Sequence, residues 1–337
     1  MRKFITLLVI FATAAFVYLS FGEFESAVKT LQHGNIWFVL LAILIQCGWY
    51  FVTGLTYLSL YRIFGMDGTL IQMTLISAAA NFVNIVTPSA SMGGIAVFIS
   101  DANRNGKSPG KATVVSMLFL FLDYIAFLVV LTLGLIVLSR RNDLNASEIT
   151  ASIIIFAIAT GLGFLLYLGS KSANALGNAL AWLARLVNRI AEPFIQRAYL
   201  SEARAHEFAH EMATDLKSLP EKSRSLIKPL IFAFIGKVLL MCVLMTTFLS
   251  FEVPFTVGTI IGGFSIAYLF LIVSPTPSGI GIVEGIMPLA LTSLRVPWSE
   301  AVIITLAYRG ITFWLSLGVG AIALRILDRE SQLTHAH

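Results

Sequence analysis

Pro275-Thr276-Pro277-Ser278-Gly279-Ile280-Gly281-Ile282-Val283-Glu284-Gly285 breaks an otherwise apolar stretch, 253–294, and the reading of this break decides the fold. Proline has no amide to donate and glycine weakens a helix, so one continuous span does not fit. Two short helices joined by an irregular turn do. Residues 68–100 carry no charge and hold a second break at Pro88, Gly93 and Gly94. Irregular backbone at membrane depth is tolerated only where protein or a wet cavity surrounds it. Both stretches are therefore read as re-entrant helical hairpins, with Pro88, Pro275 and Pro277 as hinges or gates.

Composition supports a membrane setting. The chain is 57% hydrophobic and 12% charged, with a mean hydropathy of +0.86. A soluble domain carries about 25% charged residues, so this chain has too little polar surface to cover a water-facing globule. Outside the hairpins, apolar runs at 4–22, 34–61, 112–139, 149–170, 229–251 and 298–324 are each long enough for one crossing. Arg2 and Lys3 ahead of the first run resemble a signal peptide, but no small-x-small cleavage site follows, so the run is read as a retained span. Cys47 and Cys242 both lie in apolar runs and suggest no disulfide.

The cations choose the topology. With the N-terminus in the cytoplasm and two re-entrant hairpins, most of the 23 lysines and arginines fall inside. Only Lys29, Arg140, Arg141 and Arg295 fall outside, while Lys237 and Arg309 lie in the membrane. A single crossing by 68–100 would put the basic loop 171–228 outside. The expectation is a multi-pass protein of the cell (inner) membrane with both termini cytoplasmic.

This arrangement exposes an internal repeat. Repeat one, about 34–139, and repeat two, about 229–327, each contain a span, a broken hairpin and a span with a charge near its middle. Asp123 follows Pro88 by thirty-five positions and Arg309 follows Pro275 by thirty-four. The two hairpins enter from opposite sides, so the repeats are inverted, a recurring transporter plan. The fold expected is an all-α polytopic membrane protein, a single integral membrane domain over 1–337 with about six full spans and two hairpins.

The run Asn81-Phe82-Val83-Asn84-Ile85-Val86-Thr87-Pro88-Ser89 followed by Gly93-Gly94, the second break, and Tyr308-Arg309 together resemble the lysylphosphatidylglycerol synthase transmembrane (flippase) domain family. The resemblance covers about 4–327. It implies an integral membrane protein related to the lipid-translocating half of those synthases. In that family a cytoplasmic acyltransferase domain often follows the last span. Here about ten residues follow Leu327, so a stand-alone member without that domain is expected. Many members carry an acidic residue after the Gly-Gly pair, where this chain has Ile95.

Charges at mid-membrane cost roughly 2.5–3.5 kcal/mol each on insertion scales, and persist when paired or facing a polar path. This chain has two acids, Asp123 and Glu284, and two bases, Lys237 and Arg309. One reading is a pair of structural ion pairs locking the repeats together. The other is a polar pathway in which Arg309 meets a lipid phosphate through its planar fork. Lys237 then adds positive charge, and Glu284 and Asp123 balance the empty site or receive a headgroup amine. The turn residues Ser91, Gly93 and Gly94, and Ser278, Gly279 and Gly281, precede short helices whose first amides lack intrahelical acceptors. Two such ends aimed at one cavity suit a phosphate, whereas plain packing kinks are the alternative. Asn81 and Asn84, on one helical face, are placed to bond the exposed carbonyls of the turn or a neighbouring helix.

His206-Glu207-Phe208-Ala209-His210 fits the zinc-protease pattern H-E-x-x-H, with His206 and His210 as ligands. Its charged flanks and the lack of a third ligand at a familiar spacing argue against that reading. Ser201–Leu216 reads better as an amphipathic helix with Phe208, Met212 and Leu216 on one face. Leu176, Leu180, Leu183 and Val187 recur at helical spacing upstream, for a helix in the headgroup layer or one packed under the bundle. No Walker A, dinucleotide or nucleophile-elbow motif is present.

The reading is a non-enzymatic translocator of a phospholipid, anionic or aminoacylated, that uses no cofactor and binds no nucleic acid. Alternatives are a polyprenyl-phosphate or small anionic solute transporter and, in another class, an intramembrane zinc metalloprotease. A separate lipid-modifying enzyme is a candidate partner, and homo-oligomerisation is open.

Overall fold

The computed structural model describes residues 25–86, 92–140, 146–191, 202–216, 223–274 and 276–334. The span expected at 4–22, and the turn residues Pro88, Ser91 and Pro275, lie outside these. The described residues form helices and turns with no strand. After a helical segment at 25–33 come α1 (Ile36–Ile63), α2 (Leu70–Val86), α3 (Met92–Arg104), α4 (Pro109–Ser139) and α5 (Ala146–Lys171). Next are α6 (Ala173–Ala191), α7 (Glu202–Leu216), α8 (Ile227–Ser250), α9 (Val257–Val273), α10 (Ile282–Ser293), α11 (Trp298–Arg309) and α12 (Ser316–Thr334). A π-helical segment, Gly310–Leu315, joins α11 to α12.

Five helical stretches among the described residues are long and apolar enough to cross a membrane: Ile36–Ile63, Pro109–Ser139, Ala146–Lys171, Arg224–Ser250 and Trp298–Arg329. Helix starts follow local chemistry. Asn35 caps α1 by accepting from the Trp37 amide. Ser108 caps α4, with Pro109 in the first turn where no amide is needed. Thr256 and Thr259 form a reciprocal capping box at α9. Large apolar side chains, among them Trp37, Ile71, Ile153, Phe156 and Ile322, stand exposed on the outer faces. In water such a surface would aggregate, and in lipid it is the natural exterior of an all-α polytopic membrane protein.

Both broken stretches fold as helix pairs, α2 with α3 and α9 with α10, and each pair packs together. α1 and α8, the first helix of each repeat, make the most extensive helix contact. Each hairpin's first arm also packs on the last span of the other repeat, α2 on α12 and α9 on α4. The contacts match residue by residue. The sequence offset that carries Asp123 onto Arg309 carries Gly134 onto Gly320, and the offset that carries Pro88 onto Pro275 carries Ala78 onto Ser265. A Cβ on Gly134 would strike Ser265, and one on Gly320 would lie 2.6 Å from the Ala78 carbonyl. Lipid supplies no hydrophobic drive between helices, so small residues that let backbones approach carry the association. The Ser265 hydroxyl adds a bond to the Val130 carbonyl, at 3.1 Å.

Within the basic loop, α6 and α7 pack on each other and against the bundle. Met212 and Leu216 of α7 are buried with Leu176 of α6 and Leu166 of α5, and Phe208 packs against the same cluster. Packing rather than a headgroup-layer position accounts for this face of α6, although Trp182 remains exposed. The last span departs from one regular helix, because the π segment interrupts it directly after Arg309.

The close crossing at Gly320 makes a direct prediction. Gly320→Leu forces α12 off α2 and lowers stability by about 1–3 kcal/mol, the usual cost of overpacking. Gly318→Leu, two positions away with open space around it, meets no clash and, with its better helix propensity, does not lower stability. Thermal melts of both variants in detergent, followed by size exclusion, check the difference.

Candidate functional site

Two cavities meet between the repeats. The larger, of about 300 Å³, is bounded by α1, α2, α3, α4, α9 and the second turn, and Asp123 stands on its wall. The smaller, of about 110 Å³, holds Arg309. Trp49, Asn81, Tyr268, Leu271 and Ser278 border both. An acid therefore lines one cavity and a guanidinium the adjoining one, and each touches a residue that borders both: Tyr268 beside Asp123 and Ser278 beside Arg309.

The four intramembrane charges form two pairs. Lys237 of α8 is 1% exposed. Its ammonium lies 2.7 Å from one Asp123 carboxylate oxygen and 2.8 Å from the other. It also donates to the Tyr268 hydroxyl at 2.6 Å. Asp123 is the more exposed partner and is the one that reaches the cavity. Lys237 sits behind it and lines neither cavity, so of the two only Asp123 can touch a ligand there.

Arg309 and Glu284 form the second pair. The Arg309 Nε donates to Glu284 Oε1, and Nη2 donates to the Ser278 carbonyl at 3.1 Å. The Phe313 ring lies 4.6 Å from the guanidinium carbon. Glu284 spends its second oxygen on the Gly281 amide, at 2.8 Å. One pair thus fastens the second turn to α11. That turn needs the help, because Ser278, Gly279 and Gly281 all have positive φ. The left-handed region is easy for glycine and costly for Ser278.

The two helices flanking the first turn are joined by a different device. The Gly94 amide donates to Asn84 Oδ1 at 2.6 Å. Asn84 therefore bonds the neighbouring helix, at an amide of the first turn of α3. Asn81 donates to the Tyr50 hydroxyl at 3.2 Å. The turn amides of Gly94 and Gly281 are consequently occupied by side chains rather than left open toward the cavity. Gly93 faces away from this cavity, onto a separate groove between α2, α3 and α12. Pro277 borders the larger cavity.

The repeat alignment shows how the two sides diverge. It places Tyr50 with Lys237 and Asn81 with Tyr268. Both couples are hydrogen-bonded across corresponding helices. A neutral Tyr–Asn couple on one side corresponds to a Lys–Tyr couple on the other, and Asp123 corresponds to Arg309. Trp49, Tyr50 and Tyr268 escaped sequence reasoning, since nothing in an apolar run distinguishes an aromatic residue at a cavity from one facing lipid.

The H-E-x-x-H segment lies on α7 and none of its residues lines these cavities. The His206 ring packs over Gly177 of α6, and His210 is exposed. Among the described residues, no three His, Cys, Asp or Glu side chains gather closely enough to hold a metal.

With this geometry in place, comparison with known proteins adds context. The profile of the lysylphosphatidylglycerol synthase TM region matches residues 4–320. A UPF0104 membrane protein of Pyrococcus horikoshii is 27% identical over 341 aligned residues, covering 96% of each chain. A UPF0104 membrane protein of Methanocaldococcus jannaschii is 24% identical, covering 97% of this chain and 94% of its own. A third, from Methanothermobacter thermautotrophicus, is 24% identical over 72% of this chain and 71% of its own.

Removing one partner of a buried ion pair strands the other charge and costs about 3–5 kcal/mol. Asp123→Ala therefore melts well below the parent. Adding Lys237→Met to it restores most of the loss, because no uncompensated ammonium remains. Melting curves of the single and double variants measure this, and a double variant as damaged as the single would show a separate structural need for the carboxylate.

Proposed function

Because this chain belongs to the lysylphosphatidylglycerol synthase transmembrane-region family, we propose that it carries a phospholipid from one leaflet to the other, as a transporter rather than an enzyme. The observation that carries this reading is the pair of adjoining cavities between the repeats, with Asp123 on one wall and Arg309 on the other. A phospholipid headgroup presents a phosphate and, in many lipids, an amine. These are the charges that the two walls complement.

On this reading the headgroup enters between the repeats while the acyl chains stay in lipid. Its phosphate competes with Glu284 for the guanidinium, which offers a planar fork to oxygens. Glu284 then keeps the Gly281 amide, so the turn stays closed as its other partner changes. Phe313 over the guanidinium holds the fork in place during that exchange. Asp123, already neutralised by Lys237, offers a second polar stop for an amine. The repeats rock about the cavity, with the N-terminus and both hairpins disposed as the cation distribution suggests. An anionic or aminoacylated phospholipid suits this site.

Leaflet exchange of labelled phospholipids in vesicles containing the purified protein tests the proposal. Exchange is expected to need the protein. Arg309→Lys keeps the charge beside Glu284, so the protein folds. It loses the fork that serves Glu284 and a phosphate together, and exchange should fall about tenfold or more. Absence of exchange across anionic, zwitterionic and aminoacylated lipids, or full exchange by Arg309→Lys, would count against this mechanism.

A further inference from the structure

A third cavity, a groove of about 800 Å³, lies on the opposite side of the first hairpin from the central pair. One wall is a face of α3, on which Gly93, Ala96, Val97, Ser100, Asp101 and Arg104 recur at helical spacing. The small side chains in this set give the groove its depth. From Gly93 to Arg104 the face runs about 16 Å. α2 and α12 complete it. Ile71, at 71% exposed, stands on its lip, so the groove opens on the surface that faces lipid.

Its two ends differ in chemistry. Where α2 begins and α3 ends, Gln72 bonds Asp101 at 3.4 Å, and Arg104 bridges Asp328 of α12 at 3.1 Å. Arg104 and Asp328 are each about half exposed. Toward the turn the lining becomes apolar, with Leu75, Val83, Val97 and Leu324. A polar mouth above an apolar trough is the profile of a phospholipid standing in its own leaflet. The mouth carries both signs of charge. A guanidinium for a phosphate sits beside two carboxylates for an ammonium.

We propose that this groove docks a phospholipid whose headgroup bears an amine, of the phosphoethanolamine or aminoacylated type. The phosphate takes Arg104, the ammonium takes Asp328 and Asp101, and one acyl chain lies along Val97 and Leu324. A purely anionic headgroup would leave the carboxylates facing negative charge. The inference rests on the translocation reading in one respect, that the docked lipid is the one carried onward. The wall between groove and central cavity is thin. Val83 and Gly93 face the groove, while their neighbours Asn84 and Gly94 face the cavity. The Asn84–Gly94 bond lies within that wall, so opening it joins the two spaces.

Photolabelling tests this on the full chain in vesicles, with phosphatidylethanolamine carrying a photoreactive group in one acyl chain. Adducts are expected on α2 around Ile71–Val83 and on α12 around Leu324–Leu327. Unlabelled phosphatidylethanolamine should displace them and phosphatidylglycerol should do so poorly. Two variants are expected to reduce the adducts about tenfold by separate routes. Arg104→Ala with Asp328→Ala removes the guanidinium and one of the two carboxylates of the mouth, and a half-exposed pair of this kind adds little to folding. Ala96→Trp fills the trough and leaves the mouth intact. Adducts spread evenly over the outer face of α5, or equal displacement by phosphatidylglycerol, would overturn the proposal. Groove adducts without leaflet exchange would support docking and sink translocation. Full exchange by variants that have lost the adducts would take the groove off the path and overturn the inference.

Discussion

Backbone groups that leave a helix inside lipid must find partners within the protein, since an unsatisfied group there costs several kcal/mol. The described groups beside both breaks meet this constraint, and the arrangement of the centre follows from it. One turn is tied by Asn84 to the Gly94 amide. The other is tied by Glu284 to the Gly281 amide and by Arg309 to the Ser278 carbonyl. Glu284 and Arg309 then neutralise one another. A charge pair in hydrocarbon is thus explained first by the backbone it holds. Its availability to a ligand is a second property of the same atoms. The structural and pathway readings of these charges are compatible, because Arg309 borders a cavity while it ties the turn.

The pseudo-twofold relation explains why the centre is polar without being symmetric. Corresponding helices cross at corresponding small residues, Gly134 on Ser265 and Gly320 on Ala78, so the scaffold is shared. The side chains projecting inward have diverged. Lys237 with Tyr268 stands where the other repeat has Tyr50 with Asn81. Keeping the crossing contacts while varying the inward groups lines the two adjoining cavities with opposite charges without altering the helix packing around them.

Much of this was legible in the sequence, for physical reasons. Prolines and glycines clustered within a few residues inside an apolar run favour a break, whereas single ones such as Pro288 and Gly134 stay within helices, and both clustered breaks fold as helix pairs. Two acids and two bases in the spans had to be compensated, but pairing them required knowing that α8 faces α4. Asn84 bonds the neighbouring helix, one of the two destinations its position on the helix face allowed. The groove was invisible, since it is composed by α3 and α12, which are distant in the chain. The His206–His210 pattern shows the converse. Five residues match a catalytic motif, yet on α7 the His206 ring packs over a glycine of α6.

The π segment at Gly310–Leu315 has a mechanical consequence. A π turn is a dislocation in the α-helical ladder, and helices bend at such points. The parts on either side are bolted to different neighbours. α11 packs on α10, whereas α12 packs on α2. The last span is therefore two levers sharing one joint, and the joint lies directly after Arg309. Movement of α10 relative to α2 can be taken up at this elbow, so the residue that ties the second turn also sits beside a pivot.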